Sequence, residues 1–180
     1  NILVIATGKD TAKNLVTKVR VMYDGLPSWL KTQTEEINKL SLRFANGSQI
    51  KAIASTESAG RSEALSLLIL DEAAFIEKVD VIWTAAQQTL ATGGDCIVLS
   101  TPNGVGNWFH QQWVGAEDGT NEFNTIKLHW SMHPERDQEW RDDQDKILGP
   151  SKASQECDTD FLTSGESVVD PKILQWYKEN

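Results

Sequence analysis

Ser66-Leu67-Leu68-Ile69-Leu70-Asp71-Glu72-Ala73-Ala74-Phe75 is the stretch on which the chain turns. Four large apolar residues run without a break and end on two adjacent carboxylates. A short apolar run bounded by polar residues suits a strand buried on both faces of a parallel sheet. In open α/β sheets the reactive crevice lies at the carboxyl ends of the strands, which is where Asp71 and Glu72 stand. One carboxylate there can serve a magnesium ion bound to nucleotide phosphates, and the next can orient or deprotonate a water. Four apolar residues followed by Asp-Glu is the Walker B pattern.

Working outward, a second apolar run follows at Cys96-Ile97-Val98-Leu99 and ends in Ser100-Thr101-Pro102-Asn103-Gly104. It reads as another buried strand closed by small hydroxyls and turn residues. If the two strands are neighbours, Ser100, Thr101 and Asn103 stand beside the acids, where hydroxyl and amide groups can sense a γ-phosphate or hold the attacking water.

At 180 residues the chain has room for one domain, or one domain with a small appendage. A hydrophobic share of 39% and 7 Trp suffice for a core. The net charge of −9 argues against a general polyanion-binding surface, so any nucleic-acid contact has to be local or supplied from elsewhere. Cys96 and Cys157 lie far apart in sequence and read as reduced residues of a cytosolic chain. No apolar run reaches membrane-spanning length, and no signal peptide is visible. The chain enters directly on a buried strand at Asn1-Ile2-Leu3-Val4-Ile5-Ala6 and closes within a helix at Trp176 to Asn180, so both ends are expected to be those of a fragment.

The remaining elements follow in order. Ile2 to Ala6 is the first strand, and Asp10 or Thr11 caps a helix to about Tyr23, striped by Leu15, Val16, Val19 and Met22. Leu40, Leu42 and Phe44, the Asn46-Gly47 turn, then Ile50, Ala52 and Ala54 predict a hairpin. Ser55 to Glu63 is a polar loop, and Val79 to Leu90 a helix with Val79, Ile82, Trp83 and Ala86 on one face. An aromatic helix spans Asn107 to Val114, and the alternation from Phe123 to Trp130 predicts a strand. Two helices, Arg136 to Leu148 and Ser151 to Cys157, precede short edge pieces at Phe161-Leu162-Thr163 and Ser167-Val168-Val169. Pro171 suits a first helical position before Lys172 to Tyr177. The alternation of buried strands and helices gives a three-layer α/β domain with a mainly parallel sheet and an antiparallel hairpin addition.

Taken together, these pieces resemble the ATPase domain of tailed-phage large terminase subunits, the motors that package DNA into proheads. Leu68 to Phe75 is similar to the family's Walker B segment, with small residues and an aromatic after the acids. Ser100-Thr101-Pro102-Asn103-Gly104 resembles its coupling motif, and Gly60-Arg61-Ser62 its Arg-Gly-Ser-type loop. Trp130, His133-Pro134, Gln155-Glu156, Phe161 and Gly165-Glu166 resemble the end of the ATPase domain. The resemblance implies a P-loop NTPase fold of the RecA-like class. Residues 1–135 would form a partial ATPase core beginning after Walker A, and residues 136–180 a helical part leading to a missing nuclease domain. It implies that Asp71 ligates Mg²⁺ through water and that Glu72 is the catalytic carboxylate activating the attacking water. Thr101 and Asn103 would act near the γ-phosphate, with Ser100 and Arg61 on the nucleotide. The implied cofactors are ATP and Mg²⁺. The implied partners are double-stranded DNA, a portal protein, a small terminase subunit and further copies in a ring, in the host cytoplasm and with no membrane.

One departure stands out. The family's phosphate cradle ends in Gly-Lys-Ser/Thr, whereas Gly8-Lys9-Asp10 puts a carboxylate where the hydroxyl belongs and lacks a Gly-rich lead-in. It reads as the start of the helix after the second core strand. The true cradle is then expected upstream of Asn1, leaving half of an ATP site that is inactive alone. Two other readings stay open. Asp71-Glu72-Ala73-Ala74 with Ser100-Thr101-Pro102 also resembles superfamily 2 helicases, and the missing cradle suits a non-catalytic remnant serving as an interaction module. Arg61 suits a trans-acting or sensor arginine, but a solvated loop cation is the favoured reading. His129 and His133 have a metal spacing only on a helix, which Pro134 opposes. Trp83, Trp108 and Trp113 sit at core spacing, and Asp137, Glu139, Asp142, Asp143 and Asp145 form a solvated helix face.

Overall fold

The strand Ile2–Ala6 (β1) is apolar throughout and is buried from Leu3 onward, as a central strand requires. The computed structural model describes residues 1–56, 64–90, 93–162, 173, 176 and 177. They form two compact units, Asn1–Leu99 and Ser100–Asn180.

The first unit is a six-stranded sheet in which β1 has a parallel partner on each side and two antiparallel ladders extend one end. Thr34–Ile37 (β2), Ser41–Phe44 (β3), Gln49–Ala54 (β4), Leu67–Asp71 (β5) and Asp95–Leu99 (β6) join it in the order β2-β3-β4-β1-β5-β6. The pairs β1–β4, β1–β5 and β5–β6 are parallel, and β2–β3 and β3–β4 antiparallel. Ile5 lies opposite both Ile53 and Leu70, so the three strands run in register. Side chains alternate across a strand. Val4 and Ala6 pack with Leu42, Ala52 and with Ala12 and Val16 of the helix Lys9–Gly25 (α1). Leu3 and Ile5 point the other way and are buried as well, so the centre of the sheet is covered on both faces. The helix Val79–Leu90 (α2) packs on β5 and buries Val79, Ile82 and Ala86, a helical stripe.

The first strand, the second helix and the hairpin stand as the sequence predicts. Four local expectations change. α1 is capped by extended Gly8, with no side-chain bond, and runs on to Gly25. The hairpin gains a third strand, β2, whose Thr-Glu-Glu-Ile sequence carries little strand signal. Its ladder to β3 forms it despite mostly exposed side chains. β6 is an edge strand, not one buried on both faces: with no strand beyond it among the described residues, Ile97 and Leu99 stay about half exposed, at 49% and 43%. Residues 123–129 form no strand, because their alternation finds no partner, and Ile126 and Leu128 are exposed. The expected loop 55–63 is described only at residues 55 and 56, and the pieces beyond Leu162 lie largely outside the described residues.

The second unit is helical. Trp108–Glu117 (α3) buries Phe109, which packs against Trp113 and Phe161. Gln138–Leu148 (α4) is capped by Asp137, whose carboxylate accepts from the Trp140 N–H. Pro150–Ala153 (α5) starts on a proline and passes into a single π-type turn, Ser154–Asp158. The expected solvated acidic face is only partly so. Arg141, buried between α4 and that turn, donates to both Asp158 oxygens at 2.7 Å and to Asp145 at 2.6 Å. Trp83, Trp108 and Trp113 are half-buried rather than core residues.

Candidate active site

Parallel strands end together. In the first unit the carboxyl ends of β4, β1, β5 and β6 form one edge, where a strand-to-helix crevice lies in open α/β sheets. Ser55 N donates to Ala6 O at 2.8 Å, tying the ends of β4 and β1. Asp71 is the last residue of β5 and lies opposite Leu99 at the end of β6. Glu72 follows, and both acids are half-buried. The chain turns sharply there: Glu72 adopts the left-handed conformation (φ 56°, ψ 46°), and its carbonyl accepts from Phe75 N at 2.9 Å to open a 3-10 turn, Ala73–Phe75. A non-glycine residue held in that region costs about 1–2 kcal/mol, and such strain gathers at functional sites. Ala73 is buried, so a small residue is needed directly after the acids.

The connection from β1 into α1 meets the same edge. It is only Thr7 and Gly8, and Lys9 already begins the helix. This is a helix start, not a loop wrapped around a phosphate. Asp10, in the first turn, is ion-paired with Lys13 at 2.8 Å, which holds its carboxyl below the usual range. Burial pushes the Cys96 thiol up to about 12, which makes it an unreactive member of β6. Cys96 and Cys157 are both free.

The structure thus brings Asp71 and Glu72 to the carboxyl edge of the sheet. Ser100, Thr101 and Asn103 follow β6 directly in the chain and open the second unit, where Pro102 is buried. Arg61 lies outside the described residues. Within the second unit, the segment after Asn103 is bound tightly to α3. The Asn107 carboxamide accepts from His110 N at 2.9 Å and donates to Asn103 O at 2.8 Å and Gly104 O at 3.3 Å. Gln111 Nε2 donates to Gly106 O at 2.8 Å, and Gly106 N to His110 Nδ1 at 3.2 Å. From the sequence Asn107 is only the start of a helix; its single visible signal is a capping residue after Gly-Val-Gly.

A divalent cation bound with nucleotide takes one or two carboxylates and fills the rest of its shell with phosphate oxygens and water. A half-buried Asp71 at a strand end suits that demand. Among the described residues no group of three or more His, Cys, Asp or Glu could hold a metal ion by itself. No described helix is long and apolar enough to cross a membrane.

Comparison with known proteins agrees with this architecture. Residues 1–178 match the family model of the terminase large subunit, T4likevirus-type, N-terminal. A curated relative, the "Probable terminase, large subunit gp28" of Escherichia phage Mu, is 33% identical over 101 residues, which are 56% of this chain and 18% of that protein. The large terminase ATPase domain of Thermus phage P74-26 superposes with a TM-score of 0.62 at 23% identity, covering 89% of this chain and 76% of that one. A large terminase from a thermophilic bacteriophage, in complex with ADP, gives 0.68 at 11% identity, covering 89% of this chain and 40% of that one.

Proposed function

Since the chain belongs to the terminase large subunit family, matching its N-terminal model over residues 1–178, we propose that it is part of the ATPase motor that drives double-stranded DNA into proheads. The chain spans about a fifth of the curated relative and three quarters of the similar ATPase domain. The activity is therefore assigned to the full-length polypeptide. The observation that carries the reading is the Asp71-Glu72 pair at the carboxyl end of β5, with Glu72 in a strained left-handed conformation.

In this reading Asp71 would hold, through water, a Mg²⁺ that arrives with the nucleotide, and that ion would supply positive charge against the phosphates. Glu72 holds the attacking water and takes its proton as the oxygen closes on the γ-phosphorus, while the bond from that phosphorus to the β–γ bridging oxygen breaks and ADP leaves with the electron pair. Phosphoryl transfer to water needs little covalent chemistry from the protein, so positioning and charge stabilisation supply most of the rate. Ser100 and Arg61 contact the nucleotide, and Thr101 and Asn103 pass the state of the γ-phosphate to the rest of the motor. Residues outside this stretch complete the phosphate cradle, since the β1–α1 turn is a helix start; these 180 residues alone then leave ATP intact. Residues 1–135 supply the core and residues 136–180 the passage towards a nuclease domain. A portal protein, a small terminase subunit and further copies of the chain in a ring are the partners, in the host cytoplasm.

The test is the magnesium dependence of nucleotide binding by the full-length polypeptide. Asp71→Ala should raise the Mg²⁺ concentration for half-maximal binding by about tenfold or more, the usual cost of losing a group that orients a metal's shell. An unchanged magnesium curve removes Asp71 from the site.

A further inference from the structure

The segment between Asn103 and α3 holds more side-chain bonds than a connecting turn needs. Gly104 and Gly106 both have positive φ, 75° and 84°, a region that suits glycine and lets the chain double back over the first turn of α3. Three side chains of that turn then take up its main chain. Asn107 takes the carbonyls of residues 103 and 104, Gln111 the carbonyl of Gly106, and His110 the Gly106 N–H. The His110 ring in turn meets Phe161 edge-on at 5.0 Å, and Phe161 also packs on Phe109 and Trp113.

We propose that Asn107 is a positioning residue for the loop carrying Thr101 and Asn103: one carboxamide caps α3 with its oxygen and fixes the Asn103 and Gly104 carbonyls with its nitrogen. The inference rests on the reading of Thr101 and Asn103 as residues that sense the γ-phosphate. It adds how their main chain is held, and which helix moves when it moves. Asn, Asp and Ser cap helices about equally well. Of the three, only Asn carries an acceptor and an NH₂ donor on one short planar group. Asp would cap and set a charge against two carbonyl oxygens. Ser would cap and fall short of them.

The experiment compares wild type, Asn107→Ser and Asn107→Asp in the full-length polypeptide. The readouts are kcat and KM for ATP, hydrogen exchange of residues 103–106, and the melting temperature. Both variants keep the cap, so melting should fall only slightly, with the loss confined to the loop bonds and read chiefly in its exchange. Loss of one or two neutral hydrogen bonds should lower kcat between about twofold and tenfold in Asn107→Ser, with KM unchanged, and speed loop exchange by a similar factor. Asn107→Asp should be worse in both. Wild-type kcat and exchange in both variants overturns the proposal. So does an equal loss in both variants that tracks the melting temperature, since that is a cap and nothing more. A wild-type polypeptide that turns over no ATP defeats the functional reading instead, and the exchange arm still decides whether Asn107 holds the loop.

Discussion

Glu72 is bound to its conformation by what surrounds it. Asp71 before it is fixed in the β5–β6 ladder, and Ala73 after it is buried, so the turn falls on Glu72 itself. Glycine adopts this region without the clash of a Cβ and recovers up to about 1 kcal/mol of the strain, less its own chain entropy. Glu72→Gly and Glu72→Ala both lack the carboxylate and should both lose turnover, but only glycine relieves the left-handed turn, so Glu72→Gly should melt at or above Glu72→Ala. A Glu72→Gly variant that melts clearly below Glu72→Ala would mean that the turn stores no strain. The pairing of the two acids was legible in the sequence, because an apolar run ending in carboxylates reads directly as a strand and its tip. The left-handed turn was not, because Glu gives no signal for positive φ. Asn107 was equally opaque: its three bonds depend on a loop path that two glycines permit and no periodicity reveals.

At the scale of elements, the second unit relies on a buried cation. Arg141 is the one charged residue among the buried side chains of the described residues, and it holds the C-terminal π-type turn to α4 through Asp158. Its hydrogen bonds keep the Asp158 carboxyl below the usual carboxylate range. A carboxylate with a depressed folded pKa contributes stability that is present above its unfolded value, near 3.9, and is lost as pH falls through the folded value. Wild type should thus lose stability below about pH 4. Asp158→Asn should flatten that acid limb and cost about 1 kcal/mol at neutral pH, a discounted figure because the carboxylate is partly exposed. Melting curves from pH 3 to 7 decide it, and an acid limb as steep as wild type contradicts the assignment. The sequence showed five acids on a helix and suggested a solvated face, since partners seventeen residues apart leave no local pattern. The same limit explains β2 and residues 123–129. A ladder makes a strand of polar Thr34–Ile37, and its absence leaves an alternating run as coil.

At the largest scale, the first unit is organised around one edge of its sheet. Four parallel strands deliver their carboxyl ends together, β1 and β5 at the centre, and the half-exposed β6 at the margin. Among the described residues β6 has no strand on its outer side, and such an apolar margin favours association. The broad class was readable from the chain because buried parallel strands need unbroken apolar runs and crossover helices, and both leave strong patterns. How the segments after β6 are held left none, because the groups that shape a site need not be near in sequence. The most direct measurement is single-turnover ATP hydrolysis by the full-length polypeptide carrying Glu72→Gln, with nucleotide affinity taken on the same samples. On the proposed role of Glu72 as the group that takes the water's proton, its loss should slow hydrolysis by about 10²–10⁴-fold and leave affinity within about threefold of wild type. Hydrolysis at the wild-type rate would contradict the account and move the chemistry away from the end of β5.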